Sequence, residues 1–262
     1  MRIYIPSTGR ANKQTTVGSL PQSILDKTFL VVPRDQYDDY HKSVGHLVDI
    51  IAPALPQGIG PTRQWCVEDC LKSNDRKVLM LDDDLVFAMR RRDQPTKFTD
   101  AQDQDIVNAI AVLEASLDDY SHVGMSTREG GNRYTEPFDF NTRLLRVLGY
   151  RTDILDENDI SFERIPVMED FYVSLSLLTD GYTNAKLNWM VQNQNGSGLQ
   201  GGCSTYRDME MQALAAHTLH AAFPDFVTVV QKETKGAWGG GVRTDVRIQW
   251  KKALQYGILG RR

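Results

Sequence analysis

The sequence predicts an α/β fold whose first part is a parallel, doubly wound sheet. Three observations carry that expectation. Short apolar runs at residues 28–32 and 77–81 are too short for helices and read as strands buried on both faces. Helix-like stretches alternate with such strands as far as residue 81. Three carboxylates, Asp82, Asp83 and Asp84, then follow the second run directly, at the strand's carboxyl end, where open α/β sheets bind ligands.

The chain has 262 residues, 41% hydrophobic and 24% charged, enough to bury a sizeable core. Its net charge of -4 excludes an overall basic field, so any contact with nucleic acid has to use a local patch. Three cysteines, an odd number, fit no disulfide framework. Cys66 and Cys70 read as buried thiols on one helix face, since no second Cys or His pair follows at zinc spacing. Met1-Arg2 leads straight into a strand, so no signal peptide is expected, and no apolar run approaches membrane-spanning length. The expectation is a soluble, cytoplasmic protein. No repeat and no compositional break divides the chain, which reads as one domain over residues 1–262.

The first strand, residues 2–6, runs into Ser7-Thr8-Gly9-Arg10. Small residues there let the backbone approach a nucleotide, although a plain turn fits equally. The segment is neither GxGxxG nor a lysine-bearing P-loop. The strand at 28–32 ends in Pro33-Arg34-Asp35, which sets Asp35 at another strand end. A helix over 37–42, a strand over 47–52 and a Pro/Gly-rich loop over 53–61 follow. Thr62 is expected to cap a helix carrying Arg63, Trp65, Cys66, Cys70 and Leu71. Arg63, in its first turn, either reaches phosphate oxygens or is solvated at the surface. Adjacent Asp82, Asp83 and Asp84 repel one another; a hard divalent cation, Mg²⁺ or Mn²⁺, would hold them, and an acidic strand cap is the structural alternative.

Arg90-Arg91-Arg92 opens a polar stretch to Thr99, either a solvated charge run or a basic contact. Thr99-Asp100-Ala101-Gln102 has capping-box form, ahead of a helix with Ile106, Ile110, Leu113 and Leu117 on one face. A strand over 122–126 leads to a polar loop over 127–138, and residues 142–155 read as one or two strands. Glu169 and Asp170 open a helix that buries Phe171, Leu175 and Leu178. They serve either the helix dipole or a cleft as general base. A strand over 183–191 precedes a long polar loop, 192–202, expected to be a lid or ligand loop. A helix over 205–222 carries His217 and His220, as surface groups or metal ligands. A strand over 226–230, a loop over 235–242 and a basic C-terminal helix with Arg243, Arg247, Trp250, Lys251 and Lys252 end the chain.

In this order the pieces resemble a GT-A glycosyltransferase. Ser7-Thr8-Gly9-Arg10 ends the first strand, Gly58-Ile59-Gly60-Pro61-Thr62-Arg63 opens the helix before the central strand, Asp82 and Asp84 match the DxD, and Glu169-Asp170 comes later. The PSxGR start, the GPTRQW and LDDDL segments, the MED pair and the GGCSTYR segment at 201–207 more narrowly resemble the TET/JBP-associated glycosyltransferases of phages. That resemblance implies a GT-A-like fold, a central mixed, mostly parallel sheet flanked by helices. Residues 1–90 would be the nucleotide-sugar half and 91–262 the acceptor half. It further implies transfer from a nucleotide-sugar, a UDP-sugar, onto 5-hydroxymethylpyrimidine bases in phage DNA, in the host cytoplasm. A protein or glycan acceptor, a nucleotidyltransferase and an inactive binding module remain alternatives. Asp84, with Asp82, would hold Mn²⁺ or Mg²⁺. Ser7, Thr8, Gly9, Arg10, Asp35, Arg63 and Asp83 would complete the donor site. His217, His220, Asn193 and Asn195 are candidates for a further metal ligand. Asp170 would be the base, with Glu169 second. Arg90, Arg91, Arg92, Arg243, Arg247, Lys251 and Lys252 would grip DNA phosphates around a flipped base.

Overall fold

A computed structural model describes residues 1–129, 134–194, 202, 206–234 and 241–260. The first part alternates as expected: β1 (Arg2–Pro6), α1 (Thr15–Ser19), α2 (Gln22–Leu25), β2 (Thr28–Val31), α3 (Tyr37–Val44), β3 (Asp49–Ile51), α4 (Ile59–Lys72) and β4 (Lys77–Leu81). Then come β5 (Leu85–Arg90), β6 (Phe98–Asp100), α5 (Asp103–Ser116), β7 (His122–Thr127), β8 (Phe138–Phe140), β9 (Val147–Arg151) and α6 (Thr152–Glu157). The chain ends with α7 (Glu169–Thr179), β10 (Asn184–Gln194), α8 (Met209–Ala222), β11 (Val227–Thr234), β12 (Gly241–Ile248) and α9 (Trp250–Gly260).

A ten-stranded sheet runs in the order β3-β2-β1-β4-β9-β7-β10-β5-β6, with β8 on β10. From the pairings, β1, β2, β3, β4, β6, β7 and β10 point one way and β5, β8 and β9 the other. The sheet is therefore mixed and mostly parallel. β4 and β5 are joined by the 82–84 turn, yet β9, β7 and β10 lie between them in the sheet. A chain that short spans at most about 14 Å, whereas the intervening strand spacings of a flat sheet add to about 19 Å. The sheet has to curl, and the curl carries the acidic turn across its upper rim.

Period-two alternation sends β1 and β4 side chains to both faces, and both are buried. Ile3, Ile5, Leu79 and Leu81 pack with residues of α1, α2, α3 and α5. Tyr4, Val78 and Met80 pack with residues of α4, α6 and α7 on the other face. Cys66 and Cys70 lie in this second cluster as free, buried thiols, and burial pushes Cys70 up to about 12. A third cluster joins α7, α8, the β11–β12 hairpin and α9. Gly257 permits that junction. A Cβ there would lie 2.4 Å from the Leu178 carbonyl oxygen and 2.5 Å from the Gly181 nitrogen. Among the described residues no helix is long and apolar enough to cross a membrane.

Several local expectations are corrected. Thr62 is not the α4 cap: Gly58, at φ 138°, precedes the helix, and the Thr62 hydroxyl donates to its carbonyl at 2.9 Å from inside the first turn. The α5 cap falls at Gln102, whose N–H donates to Asp105 Oδ2 at 3.0 Å, while Thr99 and Asp100 belong to β6. Residues 142–155 hold one antiparallel strand, β9, and the start of α6. Arg243 and Arg247 lie in β12 and not in the terminal helix.

Candidate active site

Thr16 fastens the acidic turn. Its hydroxyl donates to the Asp82 carbonyl at 2.6 Å and accepts from the Leu85 N–H at 2.8 Å, and its own N–H donates to the Asp83 carbonyl at 3.1 Å. The three carboxylates then part ways. Asp83 turns inward and is buried; the Ser7 hydroxyl donates to Oδ2 and Arg10 Nη1 to Oδ1 at 2.5 Å. Ser7 is itself held by Tyr40 and Gln14, both at 2.9 Å. Asp84 accepts from Arg10 Nη1 at 3.0 Å and from Gln194 Nε2 at 3.0 Å. Asp82, with 30% of its side chain exposed, accepts from Arg63 Nη2 at 3.0 Å.

Arg63 is the bridge between two parts of the site. Its other nitrogen, Nη1, donates to Glu169 Oε1 at 2.5 Å, at the start of α7. Burial lowers the Arg63 guanidinium, but Glu169, Asp82 and Asp170 more than offset that and hold it above its ordinary value. Burial pushes Glu169 up to about 7, against the pull of Arg63 and with help from neighbouring Asp170. Partial burial holds Asp82 above its ordinary value; Arg63 opposes this, and Asp84 and Asp83 reinforce it. The surface-arginine reading of Arg63 is thus overturned, because two carboxylates take its donors inside the protein. Met168, just ahead of Glu169, takes a left-handed φ of 63°, an uncommon backbone state for a side-chain-bearing residue at a site of this kind.

These groups open on a cleft of about 1430 Å³. That exceeds the roughly 300–1,000 Å³ of a single-ligand pocket, and leaves room for a donor with part of an acceptor. Ser7, Thr8, Arg10, Asp35, Arg63, Asp82, Asp83, Asp84, Glu169 and Asp170 all line it. Gly9 and His217 do not. Gly9 takes φ 67° in the turn behind, its N–H donating to Gln36. His217 lies exposed on α8, His220 meets the Val227 carbonyl at 2.7 Å, and Asn193 sits in the β10–β5 ladder. Asn195 lies outside the described residues, as do 130–133 in the polar loop, 195–201, 203–205 and 235–240.

The basic groups also sort themselves. Arg90 is a buried strut: Nε donates to the Asn188 carbonyl at 2.9 Å and Nη1 to the Pro95 carbonyl at 2.6 Å. Arg91 pairs with Asp93. Of the basic residues expected to grip DNA, Arg243 reaches the cleft, where it pairs with Asp245 at 2.7 Å. The cleft gains residues that the sequence did not flag: Arg143, Arg146 and Asp245 among them. Arg143 and Arg146 bracket two leucines, a pattern that reads as a strand.

Among the described residues no three His, Cys, Asp or Glu side chains form a metal-holding group. Mg²⁺ and Mn²⁺ are commonly held by one or two carboxylates together with substrate phosphates and water. Asp82 and Asp84, two crowded carboxylates facing one cleft, fit that mode.

The profile described as TET-Associated Glycosyltransferase matches residues 1–202. Comparison with curated proteins gives no match. Among solved structures, S. aureus TarS 1-349 in complex with UDP is similar at 16% identity and TM-score 0.48, over 84% of this chain and 66% of that one. The present chain thus spans just under two thirds of that length. Its UDP-GlcNAc complex matches at 14% identity and TM-score 0.48, over 84% and 67% of the two chains. Mannose-1-phosphate geranyltransferase from Thermus thermophilus matches at 11% identity and TM-score 0.46, over 73% and 75%.

Proposed function

The chain belongs to the TET-associated glycosyltransferase family, and on that premise we propose that it moves a sugar from a nucleotide-sugar, a UDP-sugar, to the hydroxyl of a 5-hydroxymethylpyrimidine base in DNA. One observation carries the reading. The strand-end carboxylates Asp82 and Asp84 and the helix-start carboxylate Asp170 open on one cleft, and Arg63 joins the two sides.

On this reading residues 1–90 form the donor half and 91–262 the acceptor half. Ser7, Thr8 and Asp35 flank the nucleoside. Asp84 and Asp82 would hold a Mn²⁺ or Mg²⁺ ion, which would supply charge neutralisation for the departing diphosphate. Asp170 takes the proton of the acceptor hydroxyl as that oxygen bonds to the anomeric carbon; the bond from that carbon to the diphosphate breaks, and the diphosphate leaves with the electron pair. It stands in the first turn of α7, where the helix dipole suits a negatively charged side chain. Glu169 is bonded to Arg63 and buried, which suits positioning more than proton transfer. If configuration is retained, Asp170 positions the acceptor instead. Fixed charges in a water-poor cleft stabilise an oxocarbenium-like transition state.

The test is mass spectrometry of hydroxymethylated DNA incubated with a panel of nucleotide-sugars and Mn²⁺. A mass gain of one sugar supports the reading, and unchanged DNA with every donor refutes it. The net charge of -4 favours a second reading, a protein or glycan acceptor. That version predicts no salt-sensitive binding to DNA.

A further inference from the structure

Several cations in the cleft have an anion of their own. Arg10 meets Asp83 and Asp84, Arg63 meets Asp82 and Glu169, and Lys232 and Arg243 meet Asp245. Arg143 and Arg146 differ: among the described residues neither forms an ion pair within 4.0 Å. Both are nonetheless held in place. The Arg143 guanidinium carbon lies 4.5 Å from the centroid of Phe171, whose ring meets Trp250 edge-on at 5.8 Å. Arg146 Nη1 donates to Gln192 Oε1 at 3.4 Å, and its carbonyl accepts the Asp82 N–H at 2.9 Å. The Arg146 backbone is left-handed, at φ 67°, so this arginine sits where an L side chain is disfavoured.

A guanidinium fixed by a ring face keeps its N–H donors for an anion, and its planar fork matches phosphate oxygens. We propose that Arg143 and Arg146 form a phosphate-binding pair across the middle of the cleft, between Asp82 on the donor side and Asp170 on the acceptor side. The ligand chemistry is a phosphate oxyanion. Resting on the glycosyltransferase reading, it has two sources: the donor diphosphate and the acceptor phosphodiester.

The experiment compares the full chain with Arg143→Gln and Arg146→Asn, the latter chosen because Asn tolerates a left-handed backbone. Circular dichroism checks folding, and Arg143→Lys asks whether charge alone rescues. Calorimetry reads inorganic pyrophosphate, and fluorescence anisotropy reads an unmodified oligonucleotide across salt concentrations. Loss of a charge-assisted hydrogen bond weakens binding about tenfold to hundredfold. A loss of that size for pyrophosphate with DNA binding unchanged assigns the pair to the donor. A loss for DNA, with the salt slope reduced by about one per arginine removed, assigns it to the acceptor strand. Folded variants that bind both probes as the parent does overturn the proposal. Neither assay needs turnover, so the pair is tested even if hydroxymethylated DNA is the wrong acceptor.

Discussion

On the β4 side of the cleft, Arg10 and Arg63 each face two carboxylates; on the β9 side, Arg143 faces an aromatic ring and Arg146 an amide. The first side is neutralised from within. Its shape is set before any ligand arrives, and removing a partner leaves an uncompensated charge in the protein. The second side has its donors positioned and, among the described residues, no ion pair within 4.0 Å, so its demands fall on ligands. The same residue type is therefore scaffold on one wall and recognition on the other, and the difference lies in which residues the fold sets opposite it.

Asp170→Asn gives the largest effect. It removes a carboxylate that, among the described residues, no arginine holds in an ion pair within 4.0 Å. Sugar transfer should slow about 10²–10⁴-fold in steady-state assays while the melting curve barely moves. A variant that transfers at the parental rate would leave the acceptor side without its base. Arg63→Met strikes the neutralised side. It strands Glu169 and Asp82, and urea titration should show a loss of about 3–5 kcal/mol. Arg143→Gln should stay within about 0.5 kcal/mol in the same titration. Equal losses for the two would erase the contrast between the walls.

Gly257→Ala is next. The added methyl meets the Leu178 and Thr179 carbonyls and the Gly181 nitrogen within 2.6 Å, and prises α9 from the end of α7. Overpacking of this kind costs about 1–3 kcal/mol, read as a lower melting temperature. The smallest effect is pH dependence. Glu169 is pushed up to about 7 from an ordinary 4.5, so the folded chain keeps this proton where the unfolded chain has lost it. The stability it contributes is full below about 4.5 and is lost as pH rises through about 7. The melting temperature should fall between pH 5 and pH 7.5, and fall less in Glu169→Gln. Parallel curves would remove Glu169 from the account.

Much of the β4 wall was legible in the sequence. A both-faces-buried strand followed by Asp82, Asp83 and Asp84 can end only at a sheet rim, and Glu169-Asp170 announced a helix start. What those carboxylates meet was hidden. Arg63 and Glu169 are far apart in the chain, and nothing local distinguishes a buried bridge from a solvated arginine. The β9 wall was hidden more deeply. Arg143-Leu144-Leu145-Arg146 carries the pattern of a strand, and the left-handed turn at Arg146 is tied down by a long-range bond from Asp82. His217 shows the opposite error: a suitable ligand type on a helix whose exposed face points it away from the cleft.

The most direct test of the carboxylate wall is calorimetric binding of a nucleoside diphosphate to the parent chain and to Asp84→Asn, each with and without Mn²⁺. Mn²⁺ should tighten binding to the parent, and the tightening should disappear in Asp84→Asn with the protein still folded. Equal tightening in both would contradict it, because the cation would then be held by something other than the acidic turn at the end of β4.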